Sequence, residues 1–270
     1  MSAIGERWAA RGGADRGPLR RPSIALLLAE PARGLANLAE LSVAAPCLTF
    51  APRGDGHGVL VLPGLLATDA STGILRRFLR LLGYDVRGWK LARNLGPTAA
   101  VLDKLPRALL DLAERTEGPV SLIGWSLGGI YARELARQHP AKARQVITLG
   151  SPFALADSRH GRAHGPYQRR ANMHAPGGWG PMPDQVGQPI GVVSTSVYSR
   201  RDGIVPWRAC VGLETALHEN VEVRCGHLGF GVDPATLWLV ADRLAAPADR
   251  RREFRPPLAL RPLYPRRRVR

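Results

Sequence analysis

Cysteine is scarce in this 270-residue chain: Cys47, Cys210 and Cys225 are an odd number without metal-ligand spacing. A disulfide framework is therefore not implied, although Cys210 and Cys225 could pair. The default for such thiols is small buried hydrophobes in a reducing compartment. Long apolar runs are missing too. No stretch reaches the 18 or so residues that a spanning helix needs. The apolar segment 24–29 follows Arg20 and Arg21 but is ended by Glu30 and Pro31, too short for a secretory signal. The expected location is therefore cytoplasmic, with peripheral membrane contact left open. Internal repeats are absent, and 30 Gly with 23 Pro stay below the level of low-complexity disorder. Lysine is nearly absent: only Lys90, Lys104 and Lys142 accompany a large arginine excess.

What is present is enough for a folded domain. With 45% hydrophobic residues, a chain of this length can bury a core without a staple. The formal net charge is +16, but +8 of it falls in residues 250–270 and +3 in residues 1–22. Charge concentrated at the ends argues against specific nucleic-acid binding by the folded part. The expected division is a basic flexible N-terminus over 1–22, a folded domain over 23–249, and a basic Pro/Arg-rich disordered tail over 250–270. That tail offers a weak anionic-membrane contact.

From Gly58 onward short apolar runs alternate with helical periodicity, the pattern of a parallel sheet covered on both faces. The expected strands are 59–62, 84–89, 120–125, 145–149, 190–198 and 221–225. The expected helices are 74–82, 97–117 with a kink at Pro106, one from Leu127 to before Pro140, and 234–244. Ahead of the sheet, 23–41 reads as two short apolar helices separated at Pro31. Residues 151–188 break the rhythm, and their length and composition suit a cap or lid inserted into the domain.

The third strand runs into Gly124-Trp125-Ser126-Leu127-Gly128, the G-x-S-x-G pattern of a nucleophile standing on a strand-to-helix turn. A hydroxyl needs a base, and the base needs an orienting carboxylate. Asp202 follows the fifth strand and His227 follows the sixth. In a parallel sheet all three would meet at the carboxyl edge. Two backbone N–H groups are candidates for stabilising an oxyanion: that of Leu127, directly after Ser126, and that of Leu65, in the turn after the first strand. The other histidines compete poorly. His57 precedes the first strand, His139 ends a helix and His218 lies in a connector. His160, His164 and His174 fall in the insertion, and a zinc site there lacks partners. No metal and no cofactor are expected.

The segments GWSLGG around Ser126, RRDGIVPW around Asp202 and CGHLGF around His227 resemble the α/β-hydrolase superfamily. VLVLPGLLATD from Val59 and GYDVRGWKLARNLG from Gly83 look like its lipase and GPI-inositol-deacylase-like esterases. The resemblance implies a Ser126, His227, Asp202 triad, an oxyanion site at Leu65 and Leu127, and a lid between the sixth and seventh strands of that family's sheet. Many lipases have His-Gly before the first oxyanion donor; this chain has Pro63-Gly64. The implied activity is hydrolysis of a small-molecule or lipid carboxylic ester. An acyltransferase using the same groups and a non-catalytic binding scaffold are the alternatives. Leu65, Leu66, Trp125, Leu127 and Leu228 would line an apolar acyl pocket or belong to the core.

Overall fold

The computed structural model describes residues 20–154 and 187–265. The cap reading of 151–188 and the N-terminal reading of 1–22 therefore fall almost entirely outside the described residues. Two helices open the described chain, α1 (Ile24–Leu28) and α2 (Glu30–Leu48). They break at Ala29 and not at Pro31, and α2 runs for 19 residues, longer than expected. Pro31 sits in the first turn of α2, where its missing N–H has no intrahelical partner to lose, so it starts the helix instead of ending one.

Among the described residues the sheet has six parallel strands: β1 (Gly58–Leu62), β2 (Asp85–Gly88), β3 (Val120–Trp125), β4 (Ala143–Leu149), β5 (Val193–Ser199) and β6 (His218–Val223). Their spatial order is β2-β1-β3-β4-β5-β6. Between them lie α3 (Gly73–Leu81), α4 (Ala99–Arg115), α5 (Leu127–Gln138) and, last, α6 (Pro234–Leu244). His218, expected in a connector, is the first residue of β6. Chain order reverses where β1 lies between β2 and β3, and in open α/β sheets the carboxyl ends of the strands at such a switch point are where ligands bind.

Both faces of the sheet are dry because side chains alternate along each strand. Val59 and Val61 of β1 and Ile123 and Trp125 of β3 join one core with Leu75 and Leu79 of α3 and Leu237, Val240 and Leu244 of α6. Leu60, Leu62 and Leu122 join the other, with Leu105, Leu109 and Leu112 of α4 and Tyr131 and Leu135 of α5. This two-sided burial explains why β1 and β3 read as unbroken apolar runs rather than alternating ones. α4 is capped by the Thr98 hydroxyl, which accepts from Val101 N at 3.3 Å, and carries Pro106 within it.

The expectation of a disordered tail over 250–270 is corrected for the part described. Phe254, Leu260 and Tyr264 are buried in the first core, and Leu258–Leu263 forms a 3-10 turn. The Tyr264 hydroxyl donates to Ala235 O of α6 at 2.6 Å, and Phe254 N donates to Glu219 Oε1 at 2.8 Å. The prolines forbid an α-helix, but they do not prevent an extended segment from laying apolar side chains on α6 and β6. Cys210 and Cys225 are both free and buried, which settles their pairing in favour of separate thiols. Among the described residues no helix is long and apolar enough to cross a membrane.

Candidate active site

Ser126 lies between the end of β3 and the start of α5 with φ 52° and ψ −120°. A non-glycine residue held there carries strain of about 1–3 kcal/mol, which surrounding structure must offset. Packing enforces the turn. A Cβ on Gly124 would lie 2.2 Å from Gly128 O, and one on Gly128 would lie 2.3 Å from Leu62 O. Strand, turn and helix therefore close on each other without side chains between them. Ser126 N donates to Leu149 O of β4 at 2.8 Å, pinning the turn to the neighbouring strand.

Asp202 and His227 follow β5 and β6 and meet above the same sheet edge. His227 Nδ1 lies 2.6 Å from Asp202 Oδ2, and both side chains are almost fully buried. The other carboxylate oxygen of Asp202 accepts from Ile204 N at 2.8 Å and Val205 N at 2.7 Å, so the acid is held from both sides. The His227 ring packs edge-on against Phe230 at 6.1 Å and tilted against Trp125, the residue before Ser126, at 6.4 Å between centroids. Burial works against the imidazolium, but the Asp202 carboxylate, through charge and hydrogen bond, and then the Glu30 carboxylate lift His227 above its usual pKa. No hydrogen bond joins Ser126 Oγ to His227 among the described residues.

The turn after β1 adjoins Ser126, because Leu62 pairs in register with Gly124. Leu66 N donates to Asn94 O at 2.7 Å, whereas the Leu65 and Leu127 amides donate to no acceptor among the described residues. The brace of this turn was not legible in the sequence. It is Asn94, in the connection after β2: fully buried, it donates from Nδ2 to Pro63 O at 2.9 Å and accepts at Oδ1 from Gly96 N at 3.1 Å and from the Tyr131 hydroxyl at 3.4 Å. A second unforeseen residue is Glu30, whose carboxylate reaches the loops of both Asp202 and His227. Asn94 lies within the segment GYDVRGWKLARNLG, but nothing in that segment assigns it this role, and no motif contains Glu30. In the sequence Glu30 stands merely at the end of the apolar stretch 24–29.

The remaining candidates sort by place. Trp125 and Leu127 belong to the two cores, Leu65 packs against the second core, and Leu66 and Leu228 are exposed beside the site. His57 is at the amino edge of the sheet, against Asp55 and Ser121, and His218 is engaged with Ser194 at 2.8 Å. Asp233 caps α6 through Thr236 N at 2.8 Å. His160, His164 and His174 lie outside the described residues. Among the described residues no cluster of three His, Cys, Asp or Glu could hold a metal ion.

The architecture has known counterparts. Lipase B of Aspergillus fumigatus superimposes with a TM-score of 0.52 at 16% identity, over 71% of this chain and 53% of that one. The chain has the α/β-hydrolase fold. No family model matches it. A pimeloyl-[acyl-carrier protein] methyl ester esterase of Nitrosomonas europaea is 30% identical over 102 residues, 36% of this chain and 38% of that protein. A biotin biosynthesis bifunctional protein BioHC of Teredinibacter turnerae is 45% identical over 49 residues, 18% of this chain and 9% of that protein. The α/β-hydrolase chain thus spans well under half of the curated relatives it matches.

Proposed function

We propose that this α/β-hydrolase-fold chain is a serine hydrolase that cleaves a carboxylic ester through an acyl-enzyme. The observation that carries the proposal is the buried Asp202–His227 hydrogen bond of 2.6 Å, formed above the sheet edge on which Ser126 occupies a strained turn. The esterase and lipase names of the similar proteins support the same reading.

Asp202 fixes the imidazole so that Nδ1 carries its proton toward the carboxylate and Nε2 is free to act as base. Nε2 takes the Ser126 proton as Oγ attacks the ester carbonyl, then returns it to the leaving alcohol. A water molecule, activated by the same imidazole, releases the acid and restores Ser126. The oxygen that becomes negative in the tetrahedral intermediate faces the Leu65 and Leu127 N–H groups, which donate to no acceptor among the described residues. Leu66 and Leu228 offer apolar surface to the substrate. No metal or cofactor enters these steps.

The test pairs turnover of a p-nitrophenyl ester series with labelling by a fluorophosphonate. Labelling of the wild type and its loss, with turnover, in Ser126→Ala at unchanged thermal stability would support the assignment. Substantial turnover in Ser126→Ala would overturn it. Adding alcohol acceptors to the same assay separates hydrolysis from acyl transfer through the product ratio.

A further inference from the structure

Glu30 stands near the start of α2, about 170 residues before the Asp202 loop, yet it is 2% exposed and makes no ion pair among the described residues. Its charge is met by backbone N–H groups instead. Oε1 accepts from Gly203 N at 2.7 Å and from His227 N at 2.9 Å, and Oε2 accepts from Leu228 N at 2.9 Å. One carboxylate thus joins the residue after Asp202 to His227 itself and to the residue after it. The fit is close, since a Cβ on Gly226 would lie 2.7 Å from Glu30 Oε2. The helices add a further tie: Arg33, one turn along α2, donates from its guanidinium to Arg201 O at 2.7 Å and Leu26 O at 3.4 Å.

We propose that Glu30 is a positioning residue for the reaction, a buried carboxylate that clasps the Asp202 and His227 loops together and brings a second negative charge near His227. The proposal rests on the reading of Asp202 and His227 as the acid–base pair. A buried anion must be satisfied by hydrogen bonds, and a carboxylate accepting several backbone N–H groups does this while holding those backbones at fixed separation. Asp202 and His227 lie on separate loops after adjacent strands. Glu30 shares one oxygen between the backbones of those two loops, so their separation is set at the main chain and not only by the Asp202–His227 hydrogen bond. The charged groups acting on the imidazole are Asp202, from the end of β5, and Glu30, from α2. Trp125 and Phe230 present aromatic surfaces to it. Arg33 spends its guanidinium on the carbonyls named above.

The experiment compares wild type with Glu30→Gln, which keeps size and one acceptor oxygen but removes the charge and turns an N–H₂ toward one backbone donor. Glu30→Asp serves as the second variant, retaining charge on a shorter arm. Three readouts are taken: kcat and KM against pH with a p-nitrophenyl ester, melting temperature, and an NMR titration of the His227 ring that needs no turnover. The expected result for Glu30→Gln is a kcat lower by about 10- to 100-fold with little change in KM, the loss of one charge-assisted contact at the acid–base pair. Its acid limb and the His227 titration should both move to lower pH, because a carboxylate that favours the imidazolium is gone. Glu30→Asp should keep the His227 titration closer to wild type than Glu30→Gln does. A Glu30→Gln protein with wild-type kcat, or with an unmoved His227 titration, would overturn the proposal. So would a kcat loss that merely follows the folded fraction. Should the wild type neither turn over esters nor take the fluorophosphonate, a His227 titration that still moves would uphold the clasp while refuting the hydrolase reading.

Discussion

Replacing Phe254 by Ala tests whether the C-terminal segment is part of the folded body. Phe254 is 2% exposed, lies in the core cluster shared with α6, and stacks its ring 5.5 Å from the Arg243 guanidinium carbon. Beneath it Arg243 pairs with Glu219 at 2.8 Å, both side chains being almost fully buried. Truncating a buried phenylalanine in such a setting costs about 3–5 kcal/mol through lost burial and the cavity left behind. Against a total stability of about 5–15 kcal/mol this is a large fraction. For a domain of this size it translates to a fall in Tm of about 6–20 °C. Water admitted to the Arg243–Glu219 pair alters its setting, but the cavity cost dominates. Thermal unfolding followed by circular dichroism, with a urea titration to check that the m-value is unchanged, measures the effect. Leu258→Ala is the internal control: it lies in the same segment but is 83% exposed, so it should stay within about 0.5 kcal/mol of wild type. If Phe254→Ala melts within 2 °C or so of wild type, at the scale a fully exposed site would show, the packing argument is refuted. The same logic makes truncation after Asp249 destabilising, although that cut also removes much of the basic charge.

Other consequences follow for the site. Asp202→Asn should lower kcat by about 10³–10⁴-fold by disorienting His227, whereas Asp233→Asn, which retains a cap for α6, should leave turnover close to wild type; the reverse pattern in steady-state kinetics would show that the acid is Asp233. With His227 as the proposed base, active only when neutral, the acid limb of kcat/KM should lie above pH 6.5, because His227 is held above that ordinary value. Asn94→Ala should reduce kcat about 10- to 100-fold with a smaller change in KM, since it unties the Leu65 turn without touching the acid–base pair; unchanged kcat would remove Asn94 from the oxyanion turn. Burial raises the Asp233 carboxyl from 3.8 to about 6, so the folded state holds that proton more tightly than the unfolded chain does. Its contribution is fully present below pH 3.8 and is lost as pH rises through about 6, a change of about 3 kcal/mol. Asp233→Asn, unable to titrate, should therefore compare more favourably with wild type at pH 8 than at pH 4; a pH-independent difference in denaturant midpoint would contradict this.

The parallel sheet and the elbow were legible in the sequence because both are local. Buried strands such as GVLVL and VSLIGW are apolar on both faces, and the glycines at 124 and 128 mark a turn where side chains do not fit. Type and order of Asp202 and His227 then implied their meeting, since parallel strands deliver consecutive loops to one edge. What only the tertiary structure decided was which distant residues hold that edge together. Asn94 and Glu30 act through hydrogen bonds to main-chain groups, and a main-chain acceptor or donor has no sequence signature that a partner's position could reveal. The tail misled for a related reason: arginine and proline dominate its composition, but the burial of Phe254, Leu260 and Tyr264 depends on an apolar face of α6 and β6 that exists only once the sheet has formed. Local pattern determined the elements and the strand-to-helix turn at Ser126, and long-range packing chose the residues that tie the neighbouring loops together.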